Sequence, residues 1–180
     1  MNLHEKSIQK ILQMMEDDVM MHCINTAKTI EKIFDKTGID PRYKDKLVTA
    51  AAIHDVGKID IAQRILKKPG NLTELERKII DLHAYIGYKI LQSEACDEDI
   101  CQIVLYHHGE GKTVLEAVPP LKQELKDVAL ALRTVDAYDA LTSYRPYRVA
   151  LSNQEAVEIL KKENIYSLEC INLLKEIGEN

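Results

Sequence analysis

Tryptophan is absent from this chain, and Phe34 is its one phenylalanine. An interior without those rings must be packed by Leu, Ile, Val, Ala and Met. Such residues suit helix-on-helix contacts better than a sheet built on aromatic and β-branched pairs. Positive charge is also in deficit: 24 Lys and Arg stand against 29 Asp and Glu, a formal net charge of −5. That balance argues against binding the DNA or RNA backbone, which calls for a basic surface. It leaves room for a small phosphorylated ligand, because a bound dication can reverse the local field. Cysteine is sparse. Cys23, Cys96, Cys101 and Cys170 form no CxxC pair and no dense framework, so reduced thiols are expected, not a zinc ribbon or disulfide scaffold. No stretch approaches the ~20 apolar residues of a membrane span. The N-terminal MNLHEKSIQK lacks the apolar run of a signal peptide. A cytoplasmic protein without membrane contact is expected.

What is present reads as helix from end to end. The 180 residues, 46% of them hydrophobic, fit one compact domain spanning 1–180. Ile8, Ile11, Leu12, Met15 and Val19 recur at helical spacing, and Cys23, Ala27, Ile30 and Phe34 continue the stripe. Asp17-Asp18 can open a second helix inside that run, and Gly38 is placed to end it. Asp40-Pro41 reads as an N-cap with proline in the first turn, opening a helix through KLVTAAAIHD that stops near Gly57. Thr73 with Glu76 and Ser152 with Glu155 have capping-box spacing. Apolar-periodic segments lie near 74–93, 98–107 and 121–141, and two short helices fill 153–177 with a break near Asn164. Lys67-Lys68-Pro69-Gly70 is a turn, Gly109 to Pro120 is the longest loop, and alternating strand patterns are missing. The expected class is all-α.

The informative residues are polar ones on faces that ought to be apolar. Asp136 shares a helical face with Val128, Leu132 and Val135; His54-Asp55 follows AAAI; His22 falls on the apolar side of its helix; His83 follows Ile79, Ile80 and Leu82. His107-His108 comes straight after IVLY and before Gly109. Neighbouring residues on a regular helix point about 100° apart, so two adjacent imidazoles serve one centre most easily where a helix ends. Each residue alone has an ordinary role, as a hydrogen-bonded core histidine or a capping aspartate. Five of the six histidines, all but His4, lie at helix ends or on apolar faces, however. Buried imidazoles and carboxylates in that number need a common partner, and a di-metal centre supplies one.

In order, the pattern H…HD…H…HH…D resembles the ligand set of the HD superfamily of metal-dependent phosphohydrolases. The stretches HDVGKIDIAQRILKKPGNLTELERKIIDLHAYIGYKIL, VLYHHGE and VDAYDALTSYRPYR are most similar to the HD-GYP branch, the bacterial cyclic-di-GMP phosphodiesterases. The resemblance implies an all-helical HD domain with metal ligands at His22, His54, Asp55, His83, His107, His108 and Asp136, Asp55 bridging two ions. It implies phosphate contacts at Lys58, Arg145 and Arg148, and hydrolysis of a phosphoester by water activated at the metals. Imidazole and carboxylate donors favour Fe or Mn, with Zn, Co or Ni able to take their place. Some members carry a third ion, supported by a Glu four residues before the first His; this chain has the shorter Asp18 there. The Gly-Tyr-Pro loop of that branch is replaced by GEGKTVLEAVPP, which has neither Tyr nor Arg. Two alternatives therefore stay open beside a cyclic-dinucleotide phosphodiesterase: a nucleotide phosphatase or alarmone hydrolase, and a degenerate module that binds metal or nucleotide without turnover. Cys23, although beside His22, is expected to point away from the site, and Tyr106 and Tyr138 to pack.

Overall fold

A computed structural model of the chain describes residues 3–110, 117–144 and 149–178. Within them every regular element is helical, as the composition leads one to expect. Helix α1 (Leu3–Met14) leads into α2 (Asp17–Phe34), whose N-cap is Glu16, so Asp17 and Asp18 stand in the first turn, where the N-terminal dipole favours them. The helix stops at Phe34, four residues before the expected Gly38, and Gly38 is not among the residues with positive φ. Asp40 does cap, its carboxylate accepting from the Arg42 N–H, and Pro41–Tyr43 forms a 3-10 turn ahead of α3 (Lys44–Ile53). A second 3-10 turn (Val56–Asp60) and the short α4 (Gln63–Leu66) follow. Both capping boxes are formed, opening α5 (Glu74–Asp81) and α9 (Asn153–Lys162). The remaining elements are α6 (His83–Ser93), α7 (Glu98–Tyr106), α8 (Lys126–Thr142) and α10 (Leu168–Gly178).

One expectation needs correcting. The periodic segment 74–93 is two helices, parted at Leu82, where the Ile80 carbonyl accepts from both the Leu82 N–H and the His83 ring. Helix α3 packs against α2 and α7, α8 lies across α2, and α6 rests on α7 and on the Val56–Asp60 turn. The buried cluster between them runs from Ile11 to Leu174 and is mainly aliphatic, with Phe34, Tyr43, Tyr85 and Tyr88 as its rings. A smaller cluster of Val157, Leu160 and Ile171 lies under Tyr138 and Tyr166.

Gly57 lets the turn after α3 press against α6. A Cβ there would lie 2.0 Å from the His83 carbonyl oxygen and 2.5 Å from the Gly87 nitrogen, both backbone atoms that cannot swing aside. Gly57→Ala is therefore expected to cost at least the ~1–3 kcal/mol of ordinary overpacking, read as a fall in melting temperature.

Candidate metal centre

Three helix ends are closed by the same device. His54, His83 and His107 each stand just past a helix (α3, α5 and α7) and turn Nδ1 back to the carbonyl three residues earlier: Ala51 at 2.8 Å, Ile80 at 2.6 Å and Val104 at 2.6 Å. The last carbonyls of a helix have no N–H of their own to accept from. An imidazole N–H supplies one, which in the neutral ring leaves Nε2 with a lone pair and no proton. The device also directs three helix C-termini, each a partial negative charge, toward one point. The fourth ring, His22 on α2, is oriented by a carboxylate instead: its Nδ1 lies 2.6 Å from Asp139 Oδ2, and Asp139 also accepts from the Ser143 hydroxyl at 3.1 Å.

The freed nitrogens converge. His83 Nε2 lies 3.3 Å from His107 Nε2 and 3.1 Å from His108 Nε2. On the other side, His22 Nε2 is 2.9 Å and His54 Nε2 3.5 Å from Asp136 Oδ1. Asp55 stands between the halves, with Oδ1 3.2 Å from His83 Nε2 and Oδ2 3.6 Å and 3.8 Å from the Nε2 atoms of His54 and His22. Neighbouring ring centroids along the series His22, His54, His107, His83 and His108 are 4.9–5.3 Å apart. Two donor triads, His83–His107–His108 and His22–His54–Asp136, each have their ligand atoms within 4.8 Å of one another. His54 Nε2 is fully buried and meets no hydrogen-bond partner, a costly state for a polar atom. Lone pairs aimed at each other and an orphaned buried nitrogen are what a metal cation would satisfy, so the donor set fits divalent ions.

The two halves differ in charge. Burial works to lower the pKa of His22, but the Asp136 and Asp139 carboxylates leave it raised. His54 is raised further: burial opposes it, and Cys23, Asp55 and Asp136 prevail. His83, His107 and His108 go the other way. Burial and the other imidazoles hold His107 well below the ordinary value, burial keeps His83 low against the pull of Asp55, and His108 is pushed down to about 4. Burial would raise Asp55 and Asp136, yet Lys58, His54 and His83 lower the first, and His22 and His54 the second, well below the carboxylate range.

All seven expected ligand residues thus meet in one place. Lys58 meets them too: its ammonium lies 2.5 Å from Asp55 Oδ2, with its side chain four-fifths covered. Arg145 and Arg148 lie outside the described residues, as do positions 111–116 of the Gly109–Pro120 loop. Cys23 is a correction. It is fully buried, and its sulfur falls within 4.8 Å of His54 and Asp55 donor atoms, because the end of α3 passes over both His22 and Cys23. Asp139 was missed by the sequence reading, although its spacing of three from Asp136 puts both on one face of α8. Tyr106 and Tyr138 pack as expected, their hydroxyls donating to the Pro119 carbonyl and to Asn153.

The HD domain family profile matches residues 19–141, the span holding every residue of this cluster. The chain belongs to the HD domain family. Among characterised relatives, the cyclic di-GMP phosphodiesterase response regulator RpfG of Xanthomonas campestris is 36% identical over 138 residues, covering 69% of this chain and 34% of its own length. The cyclic di-GMP phosphodiesterase of Thermotoga maritima is 31% identical over 160 residues, 82% of this chain and 42% of the relative. The 3'3'-cGAMP-specific phosphodiesterase 3 of Vibrio cholerae is 31% identical over 132 residues, 71% of this chain and 28% of the relative. These names agree with the expected HD-GYP kinship. The chain spans less than half the length of each of these three. In fold, this HD domain superimposes on that of the Listeria monocytogenes phosphodiesterase PgpH with a TM-score of 0.68 at 20% identity, covering 96% of this chain and 94% of the other. HD domains bind divalent metals, and the His/Asp cluster here is able to hold them. No helix among the described residues is long and apolar enough to cross a membrane.

Proposed function

We propose that this HD domain is a metal-dependent phosphodiesterase acting on a cyclic dinucleotide, with cyclic-di-GMP as the leading substrate. The observation that carries the reading is the convergence of five imidazole Nε2 atoms around Asp55 and Asp136. Relatives named for cyclic di-GMP and 3'3'-cGAMP support the substrate class. Two ions would be held, one by His22, His54, Asp136 and Asp55, the other by His83, His107, His108 and Asp55. Iron or manganese suits these donors best, with Zn, Co or Ni as substitutes. A third ion is not part of the proposal, since Asp18 is exposed and its Oδ1 accepts from the Val19 N–H. Such ions supply polarisation of the phosphoryl group and acidification of water. We read residues 1–180 as one HD unit, in keeping with a core drawn from Ile11 to Leu174. We place it in the cytoplasm, in keeping with four free thiols.

The protein's own groups do the rest. Burial presses the Lys58 ammonium to lose its proton, but the Asp55 carboxylate against it raises its pKa, so it stays a cation at the edge of the centre. There it is suited to the non-bridging oxygens of a phosphodiester. Arg145 and Arg148 are proposed as further phosphate contacts on the resemblance of SYRPYR alone. Lys58→Ala is expected to lower turnover by ~10²-fold or more while bound metal stays unchanged. Asp139→Asn removes the anion that orients His22, so metal affinity should fall ~10–100-fold at the His22 half and little at the other, measured by counting ions per chain.

The reading is tested by giving the manganese-loaded protein a panel of cyclic dinucleotides, linear dinucleotides, nucleoside phosphates and guanosine alarmones. Turnover of a cyclic dinucleotide is expected. Hydrolysis of mononucleotides or alarmones alone would make it an HD phosphatase, and bound metal with no hydrolysis would make it a binding module.

A further inference from the structure

Arg133 lies on α8, one turn before Asp136, and nothing said so far uses it. Its guanidinium reaches across to the segment that follows the His107-His108 pair: a Cβ built on Gly109 would sit 2.8 Å from Arg133 Nη1. Gly109 has φ +94, so glycine serves this close approach twice, by its backbone shape and by its missing side chain. The guanidinium also lies near Tyr166, whose ring centroid is 5.5 Å from Arg133 Cζ. That ring is held in place by its own chain. The Ser167 N–H donates to Thr134 Oγ1 at 2.9 Å, and so ties the α9–α10 connection to α8 directly beside Arg133. Gly109 directly follows His107-His108, so the guanidinium against it stands beside that side of the metal centre.

Arg133 is half-buried, and among the described residues it makes no ion pair or hydrogen bond. A guanidinium carries five N–H donors in a fixed fork and cannot shed its charge. Set beside Gly109 and the Tyr166 ring, with no carboxylate paired to it among the described residues, it is arranged for an anion arriving from solution. The anion class follows from geometry: a phosphodiester offers two non-bridging oxygens that match the fork.

We propose that Arg133, shelved on Tyr166, is a substrate-recognition residue that grips a phosphodiester of the nucleotide beside the His107–His108 side of the centre. This rests on the phosphodiesterase reading above for the identity of the substrate, though not for the binding of a phosphate group. Arg133 sets affinity and takes no part in bond breaking. The metal ligands are contributed by other side chains, so its loss leaves the ions in place.

Two measurements on the manganese-loaded full chain separate the claims. In the first, steady-state kinetics with cyclic-di-GMP are compared for wild type, Arg133→Ala, Arg133→Lys and Tyr166→Leu. KM is expected to rise ~10-fold or more in Arg133→Ala, and less in Arg133→Lys, which keeps charge and stem but loses the fork. Tyr166→Leu should raise KM by a smaller factor. In all three, kcat should stay within about threefold and bound manganese unchanged. In the second, inorganic phosphate is titrated calorimetrically into the same proteins, and its affinity should fall in the same order. Wild-type turnover with KM and phosphate affinity unmoved in Arg133→Ala and Arg133→Lys would overturn the proposal and leave the phosphodiesterase reading standing. No turnover by wild type, with phosphate affinity still lost in Arg133→Ala, would sink that reading and keep the anion site. Loss of bound manganese in Arg133→Lys, or no phosphate bound by wild type, would also overturn it.

Discussion

Replacing Asp55 with alanine should reduce phosphodiester hydrolysis by more than ~10³-fold, a loss of about 4 kcal/mol in transition-state stabilisation, and should lower bound metal from two ions per chain. Among the described residues no other carboxylate is within ion-pair distance of both donor triads: Asp55 Oδ1 is 3.2 Å from His83, while Oδ2 is 3.6 Å from His54 and 3.8 Å from His22. Its side chain is 3% exposed, so water cannot stand in for its charge. The substitution also strands the Lys58 ammonium among imidazoles. Breaking a buried pair from one side costs ~3–5 kcal/mol, and the figure here is smaller because Lys58 keeps a fifth of its side chain in solvent. Asp55→Asn removes the charge but keeps the volume and an oxygen that can accept from the Lys58 ammonium, so it perturbs packing least. Metal and rate should fall in both variants, and melting temperature mainly in alanine. Full metal occupancy and full rate in either would show that Asp55 does not bridge.

Metal uptake should depend on pH in two stages. In the metal-free protein His22 and His54 titrate above the ordinary histidine value, held up against burial by Asp136 and Asp139 for the first and by Cys23 and Asp55 for the second. His83 and His107 titrate below it, and His108 at about 4, because burial outweighs the nearby carboxylates. Just below the ordinary histidine value, therefore, the His83–His107–His108 half stays closer to neutral and readier to bind, whereas His22 and His54 carry protons that an ion must displace. Each displaced proton weakens apparent affinity ~10-fold per pH unit below its pKa. One ion per chain is expected at pH 5.5 and two at alkaline pH, with proton release accompanying the second. Stability of the metal-free form follows the same signs. Protonated His22 and His54 contribute below pH 6.5, and that contribution is lost as pH rises through their folded values. The other three imidazoles cost stability as pH falls from 6.5 toward 4, because only the unfolded chain takes up their protons. Equal filling of both halves at pH 5.5, without proton release, would contradict this assignment.

The sequence carried the helical class, both capping boxes, the Asp40-Pro41 start and all seven residues of the cluster, because each leaves a local mark: a spacing, a cap, or a polar residue on an apolar face. What it could not carry depends on distant partners. The break at Leu82 coincides with the His83 ring turning back to the Ile80 carbonyl, a contact with no signature in apolar periodicity. Asp139 reads as one more acid on a helix until it is seen 2.6 Å from a histidine 117 positions away. Helical geometry turns Cys23 away from His22 along α2, but it says nothing of where α3 brings His54 and Asp55 against the sulfur. Arg133 and Tyr166 carry no motif, and their pairing depends on the α9–α10 connection being brought onto α8, where Ser167 is tied to Thr134.

Convergence of the imidazoles and carboxylates on bound cations is the central expectation. Crystals soaked in manganese and measured with anomalous scattering test it most directly. Two peaks are predicted, one bounded by His22, His54 and Asp136, the other by His83, His107 and His108, with Asp55 between them. A map without density among these side chains, their nitrogens paired instead with protons and carboxylates, would contradict it.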